Sequence, residues 1–509
     1  MKALLLKFYP EIAGLGIFIL YLNTMCPTIM GQDSGELATV QATLSIPHPT
    51  GYPLFAILGY IFLKLPLPFE TIIRLNILAS LWCAFTVIIM IRTSKLLVEN
   101  FPELSTGKFV IALHNAKNAK LIIALASIFP GLMLGFSLTF WLQSTHVEVH
   151  SLQIFLISLV IFLSIKSYIT KETVNLANVK KLYRNSWVWI FIIIGLGFAN
   201  HLTIIYLIPS TILLYFIIHN SNKVSIRNIV LLFFISFFVA AVFYIWMMYR
   251  ASSNPPFKYG DPSSIAGLYD HITAKRYSTK MFSSTSSLKY QIYKFINFFQ
   301  ISPSESKWGE FSFSLVLGVT GLVFISFLSK RFFLYMLLII VTSLMITLNY
   351  HIIDINEYYL SFFYILCLSS SFSIANTWSI LPQNRITDIC VILLLSTIIT
   401  IQVYGNYELV DKSDNRKYEQ FAKDYIETLP ENAVLYTDDW DNMLSPALYL
   451  QNILKVRRDV IIFSPWRRIC FTPYQSTNIK QFFENDELIK NENTFIYGSI
   501  NERDVELSY

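Results

Sequence analysis

Tyr52-Pro-Leu-Phe-Ala-Ile-Leu-Gly-Tyr-Ile-Phe-Leu-Lys-Leu65, bracketed by Pro53, Pro66 and Pro68, is the stretch on which the reading of this chain turns. It is apolar, yet short of the roughly 20 residues a helix needs to cross a hydrocarbon core. About eleven other apolar runs have spanning length, centred near residues 11–25, 72–91, 121–141, 152–168, 187–201, 202–218, 229–249, 312–328, 332–349, 358–377 and 387–404. If Tyr52–Leu65 spanned as well, the basic stretch after Arg92, with Lys95, Lys108, Lys117 and Lys120, would face outward. That would oppose the excess of Lys and Arg in cytoplasmic loops. Read as a helix lying in the outer surface, it keeps that stretch inside. Lys166, Lys171, Lys180, Lys181, Arg184, Lys223, Arg227, Lys330, Arg331 and Arg385 then face the cytoplasm too.

Working outward from that segment fixes both ends. Lys2 and Lys7 precede the first run, Ile12–Leu22, and no small-x-small cleavage pattern follows it. The run is therefore read as a retained span with a cytoplasmic N-terminus. An odd number of spans places the tail, from about Gln402 to Tyr509, outside, where the composition turns charged and polar. Strand-like Ala433–Tyr436 and Val460–Ile462, with helical patterning between and after them, predict a small α/β domain. The chain divides accordingly into a membrane part, 1–404, and an outer domain, 405–509. The membrane part carries a first outer loop at 26–71 and a long one at 251–311.

Composition agrees. Hydrophobic residues make up 54% of the 509, and charged residues only 14%, where a soluble domain carries about 25%. The net charge of +6 is dispersed over short loops, so it does not form a nucleic-acid footprint. Five cysteines form no metal or disulfide framework; Cys83, Cys367 and Cys390 sit in apolar runs as packing residues. Cys26 and Cys470 both fall outside, which leaves a bridge between them open.

The chemistry-bearing residues gather at the outer ends of the spans. The first loop holds Gln32-Asp33-Ser34-Gly35-Glu36 and then Pro47-His48-Pro49-Thr50-Gly51. Asp33-x-x-Glu36 reads as a capping box for a helix through Leu44, with Leu37, Val40 and Leu44 as its apolar face. A carboxylate held at a helix start near lipid also suits a general base for a hydroxyl. The second loop holds His146, Glu148 and His150; their alternate spacing would splay metal ligands, so lining a polar cavity fits them better. Asn200-His201 marks a junction of two runs on the same side. The long loop carries Lys258, Asp261, Lys275 and Arg276, cations able to neutralise a phosphate or simply be solvated. Asp354 and Glu357 stand beside Tyr358 and Tyr359 in a fourth outer segment. In the tail, Tyr436-Thr-Asp-Asp-Trp-Asp441 reads as a polar turn after a strand, or as an aromatic-acidic contact for sugar or acceptor. No Walker loop, kinase signature or nucleophile elbow is present.

Cys26-Pro-Thr28, Gln32-Asp-Ser-Gly-Glu-Leu37 and Pro47-His-Pro-Thr-Gly-Tyr-Pro-Leu-Phe55 together resemble the N-terminal signature of a membrane family associated with protein O-mannosyltransferases of the GT-C superfamily. Arg74-Leu-Asn76 looks like its continuation. Glu148-Val-His-Ser-Leu152 is similar to its Glu-Val-Tyr-x-Leu, with His150 for the tyrosine. Ala199-Asn-His-Leu-Thr203 resembles its His-His-x-Thr region, and Tyr259-Gly-Asp-Pro262 its Trp-Gly-Asp-Pro. The resemblance implies an α-helical polytopic GT-C-like fold with outer juxtamembrane helices and a catalytic carboxylate in the first loop. It implies a sugar donor, with mannose expected, carried on polyprenyl phosphate, and a Ser or Thr hydroxyl of a protein as acceptor. Asp33 would be the base, with Glu36 orienting the acceptor or sharing that role. His48, Arg74, Lys258 and Arg276 would stabilise the departing phosphate, with His146, Glu148, His150, His201, Asp261 and Asp354 around the substrate. No metal or other cofactor is expected, because a lipid monophosphate lacks a pyrophosphate. The expected partners are the lipid-linked sugar, an acceptor protein or glycan, and membrane lipid, without nucleic acid. No eukaryotic retention signal stands at Glu506–Tyr509, so a bacterial inner membrane with the site facing the periplasm is expected. A glycolipid or envelope polysaccharide acceptor remains open. A lipid-linked sugar transporter would need buried mid-span charges or inverted repeats, and these are not evident.

Overall fold

The computed structural model describes residues 2–100, 116–174, 176, 179–299, 301–302, 307–308, 312–352, 354–464, 469–471 and 496–498. Seven of its helices are long and apolar enough to cross a membrane: Thr71–Glu99, Val149–Ile169, Leu202–His219, Lys223–Ser252, Lys330–Thr347, Asn356–Ile380 and Arg385–Val410. Shorter apolar helices occupy Ala119–Gly135, Ser186–Phe198 and Phe313–Leu328, and Lys2–Thr24 opens the chain with a break at Phe8. Each of the expected runs is thus helical. The run read over 121–141 breaks at Phe136, and a five-residue helix, Leu138–Leu142, follows it. The last long helix continues to Val410, past the boundary expected at 404.

Burial separates the helices into inner and outer ones. The most apolar window of Asn356–Ile380 is 94% buried, whereas that of Arg385–Val410 is 11% buried. The first is the bundle's central post, and the second turns Leu393, Leu394 and Tyr404 outward as a lipid-facing helix would. Lipid tails are as apolar as leucine, so close backbone approach and buried hydrogen bonds must hold such helices together. Both are present. A Cβ on Gly321 would fall 1.9 Å from the Ser369 carbonyl oxygen, so only glycine allows Ser312–Leu328 to reach the central helix. Tyr21 donates to the Gly135 carbonyl, Trp141 Nε1 to Thr24 Oγ1, and Asn76 Nδ2 to the Cys26 carbonyl. Cys26, Cys83, Cys367 and Cys390 are free thiols. Cys390 is exposed, a correction to its expected packing role, since its helix is peripheral. Cys26 donates to the Asn415 carbonyl; the Cys470 side chain lies outside the described residues.

Pro53–Phe62 is a ten-residue helix. At 1.5 Å per residue it is about 15 Å long, half a hydrocarbon core. The loops on its side of the bundle are sewn to one another around it. Ile46 pairs with Lys258 in a parallel bridge, tying the first loop to the long one, and Met281 pairs with Tyr350, tying the long one to the fourth. The tail forms a four-stranded sheet, ordered Ile469–Phe471, Ile461–Ser464, Val434–Tyr436 and Ile496–Gly498. The last three strands in that order are mutually parallel. The tail is not packed apart from the membrane part. Leu435, Leu448 and Ile462 share one hydrophobic cluster with Val40, Ala56, Phe257 and Tyr259 of the first and long loops.

Candidate active site: a carboxylate and histidine centre

The helix Ser34–Thr43 begins directly after Asp33, but not through the expected capping box. Asp33 makes no side-chain cap bond. Its Oδ1 instead accepts from Trp440 Nε1 of the tail at 2.6 Å. Glu36 does not reach back to the helix start; its Oε1 accepts from the His48 backbone N–H at 2.8 Å, and its Oε2 stands 2.7 Å from His48 Nδ1. Nor is there a single apolar face. Every residue from Ser34 to Gln41 is buried, because the tail covers the side expected to meet solvent. Tertiary partners outcompeted the local cap.

Close approach of the tail depends on Gly35. A Cβ there would lie 2.2 Å from the Ser445 backbone carbonyl oxygen, at the start of the helix Ser445–Asn452. Gly35→Ala must therefore push that helix away, at a cost of about 1–3 kcal/mol, and loosen the Trp440–Asp33 bond. Limited proteolysis should then cut the tail faster in the variant than in wild type; equal cutting rates would refute this account of the docking.

His48 is the electrostatic hub. Burial pushes its pKa down, but Glu36 and Asp33 outweigh burial and raise it to about 9. The ring is thus an imidazolium at neutral pH, donating from Nδ1 to Glu36. From Nε2 it donates to the Tyr52 hydroxyl at 2.9 Å, and the Asp33 Oδ2 lies 3.8 Å from the same nitrogen. Tyr52 and Gln32 both hold left-handed backbone, at φ 42° and 63°, a conformation costing a non-glycine residue of order 1 kcal/mol or more. Their side chains hold the site: Tyr52 on His48, and Gln32 Nε2 donating to Asp354 Oδ1 at 3.0 Å.

A second group adjoins the first. The Tyr52 ring stacks on His201 at 5.9 Å, and His201 lies 4.7 Å from His150 and 5.2 Å from Tyr358. Burial, with His150 and His48 adding to it, holds His201 well below the usual imidazole range. Its Nδ1 accepts from the Thr203 N–H, so the proton sits on Nε2, 3.4 Å from the Tyr358 hydroxyl. Glu148 caps the helix Val149–Ile169 through the Val149 N–H. Burial, reinforced by Asp33, raises Glu148 well above a normal carboxyl. Burial and Asp33 also raise Asp354.

The structure thus brings together Asp33, Glu36, His48, Glu148, His150, His201 and Asp354. Other expected site residues have other partners. Arg74 donates to the Leu63 and Leu65 carbonyls, closing the end of the Pro53–Phe62 helix. Lys258 pairs with Asp261 at 2.9 Å. Burial acts to raise Asp261, but hydrogen bonds from Lys258 and Ser263 prevail and lower it. His146 sits against Thr145, neutral because burial and Lys412 lower it to about 4. The Arg276 side chain lies outside the described residues. Sequence reading passed over Tyr52, Tyr358 and the direct role of Trp440. Their signal was position alone, aromatics beside the motifs.

Asp33, Glu36 and His48 present ligand atoms within 4.8 Å of one another, close enough for a divalent ion. Glu36 and His48 already satisfy each other, which leaves Asp33 as the group free to act on a substrate. Its side chain is 35% exposed, against 0% for Glu36. A carboxylate so placed can take a proton, and an imidazolium beside it can stabilise a departing anion.

Residues 33–225 match the model of the protein O-mannosyl-transferase TMEM260 N-terminal domain. The chain is 22% identical over 489 residues to the protein O-mannosyl-transferase tmem260 of Dictyostelium discoideum, covering 88% of this chain and 56% of that one. It is 22% identical over 437 residues to the mouse protein O-mannosyl-transferase TMEM260, covering 81% and 56%. The chain therefore spans about half the length of these relatives. Among solved structures it superposes on ArnT from Cupriavidus metallidurans bound to undecaprenyl phosphate, with a TM-score of 0.52 and 11% identity, over 90% of this chain and 85% of that one. It also superposes on the Archaeoglobus fulgidus oligosaccharyltransferase in complex with Zn and sulfate, with a TM-score of 0.52 and 13% identity, over 92% and 62%. The chain shares the fold of ArnT and of the archaeal oligosaccharyltransferase, and its sequence resembles the protein O-mannosyl-transferase TMEM260 family.

Proposed function

We propose that this chain is an inverting glycosyltransferase that moves mannose from a polyprenyl-phosphate donor to a Ser or Thr hydroxyl of a protein. In this reading eleven helices span a bacterial inner membrane: the seven long ones, the three shorter ones and Lys2–Thr24. The tail, with the site beneath it, faces the periplasm. One observation carries the proposal: Asp33 is a partly open carboxylate held on one oxygen by Trp440 and standing 3.8 Å from the His48 imidazolium. The relatives named as O-mannosyl-transferases and the undecaprenyl phosphate bound by ArnT support the acceptor and donor classes.

The chemistry balances with these groups. Asp33 takes the acceptor hydroxyl's proton, the hydroxyl oxygen bonds to the anomeric carbon, and the bond from that carbon to the phosphate oxygen breaks. Phosphate leaves as a stable anion and needs no acid, so one base suffices where a glycosidase uses two carboxylates. His48 supplies positive charge where negative charge grows. Glu36, sealed and spent on His48, holds that charge in place instead of acting as a second base.

The test is transfer from polyprenyl-phosphate mannose to Ser/Thr peptides by the purified protein in detergent. Mannosylated peptide supports the reading; transfer only to glycolipid or polysaccharide moves the acceptor, and no transfer to any acceptor refutes it. Because Glu36 and His48 occupy each other, EDTA should leave the rate unchanged. A rate lost to EDTA and restored by a divalent ion would overturn the metal-free form of the proposal.

A further inference from the structure

Beside Asp33, four rings form a continuous wall: Tyr52, His201, His150 and Tyr358, with neighbouring centroids 4.7–5.9 Å apart. Three of the four have hydrogen bonds that fix them. Tyr52 is held by His48, and His201 by Thr203, with Tyr358 against His201. His150 differs. Its ring packs at a tilt against His201 and Tyr358, but neither of its nitrogens has a hydrogen-bonding partner among the described residues. It is only half-buried, so those nitrogens are reachable, and it lies close enough to Asp33 and His48 to feel both charges. A half-buried imidazole with two unused polar atoms, set in an aromatic wall next to a base, has the make-up of a sugar subsite. The half-buried rings of His150 and Tyr358 offer apolar surface to the C–H side of a pyranose, backed by the buried Tyr52 and His201, and the His150 nitrogens offer one donor and one acceptor to its hydroxyls.

We propose that this wall is the subsite for the donor's pyranose ring, and that His150 reads one of its hydroxyls and so helps set sugar specificity. The inference rests on the glycosyltransferase reading above. His150 is a positioning and specificity residue, and Asp33 does the chemistry. The wall is built by separated segments: Tyr52 from the first outer loop, His150 from the second, His201 from the junction before Leu202, and Tyr358 from the fourth. Tyr52 is shared between the wall and His48, so a sugar seated on the wall would have its anomeric end directed to the charged centre.

The experiment compares wild type, His150→Phe and His150→Asn on polyprenyl-phosphate mannose and on its 2-, 4- and 6-deoxy analogues, with a Ser/Thr peptide acceptor. Loss of one hydrogen bond in a shielded site is worth roughly tenfold. His150→Phe should raise the donor KM about tenfold while kcat falls less than threefold, and His150→Asn should restore part of the loss. One deoxy donor should be about tenfold poorer for wild type yet no poorer than mannose for His150→Phe, which identifies the hydroxyl. A melting temperature close to wild type separates this result from misfolding. A folded His150→Phe with wild-type KM on every donor overturns the subsite while leaving the function standing. Absence of transfer by wild type overturns the function and the subsite with it.

Discussion

Asp33→Asn lowers kcat for sugar transfer by about 10³-fold and leaves the protein folded, since a positioned general base contributes between about 10² and 10⁴. The amide keeps an oxygen to accept from Trp440, so docking of the tail survives the change. What it loses is the lone pair that takes the proton. The rate and the melting temperature, measured on the same preparations, separate chemistry from structure. Donor KM should stay within about twofold, because Asp33 acts on the acceptor's proton. A variant retaining more than a tenth of wild-type activity would remove Asp33 from the base role. Glu148 and Asp354, raised by burial and by Asp33, would then be the carboxyls to test.

Glu36→Gln has the second large effect, and it falls on stability. The substitution leaves the buried His48 imidazolium with only the more distant Asp33 as counter-charge, and breaking a buried pair costs about 3–5 kcal/mol. The pH dependence supplies a sharper check. Folding raises His48 from its ordinary 6.5 to about 9, so its contribution is fully present below about 6.5 and is lost as pH climbs through about 9. At about 1.4 kcal/mol per unit the contribution is on the order of 3 kcal/mol. Melting of wild type and variant in detergent from pH 6 to pH 10 should show a wide gap at the acid end that narrows on the alkaline side. Two curves that run parallel throughout would mean that His48 is neutral when folded.

Several elements were legible because their causes are local. Apolar length made the helices, and the segment read as too short to span, Pro53–Phe62, is a helix of only ten residues. The parallel strands Val434–Tyr436 and Ile461–Ser464 fell where β-branched and aromatic runs placed them. The first-loop motif put Asp33, Glu36 and His48 in view together, since they are only 15 residues apart at most.

Partners chosen by the folded packing were not legible. Asp33 and Glu36 have the spacing of a capping box, and sequence gives no warning that Trp440, 407 positions later, takes one carboxylate while His48 takes the other. Arg74 stands in a family-like motif, yet nearby carbonyls at the end of a helix hold its guanidinium. His146 and His150 are four residues apart, but the fold sends one to Thr145 and Lys412 and the other into the ring wall beside His201. The sequence by itself determined a membrane chain of apolar helices with its chemistry-bearing residues in the loops between them, because hydrophobic length acts over one helix at a time. Which carboxylate stays open, which histidine carries charge and which keeps its ring nitrogens unpaired among the described residues were decided only by tertiary structure. Burial, counter-charge and hydrogen-bond partners depend on what packs against a residue, and here those neighbours come from loops and a tail hundreds of residues away.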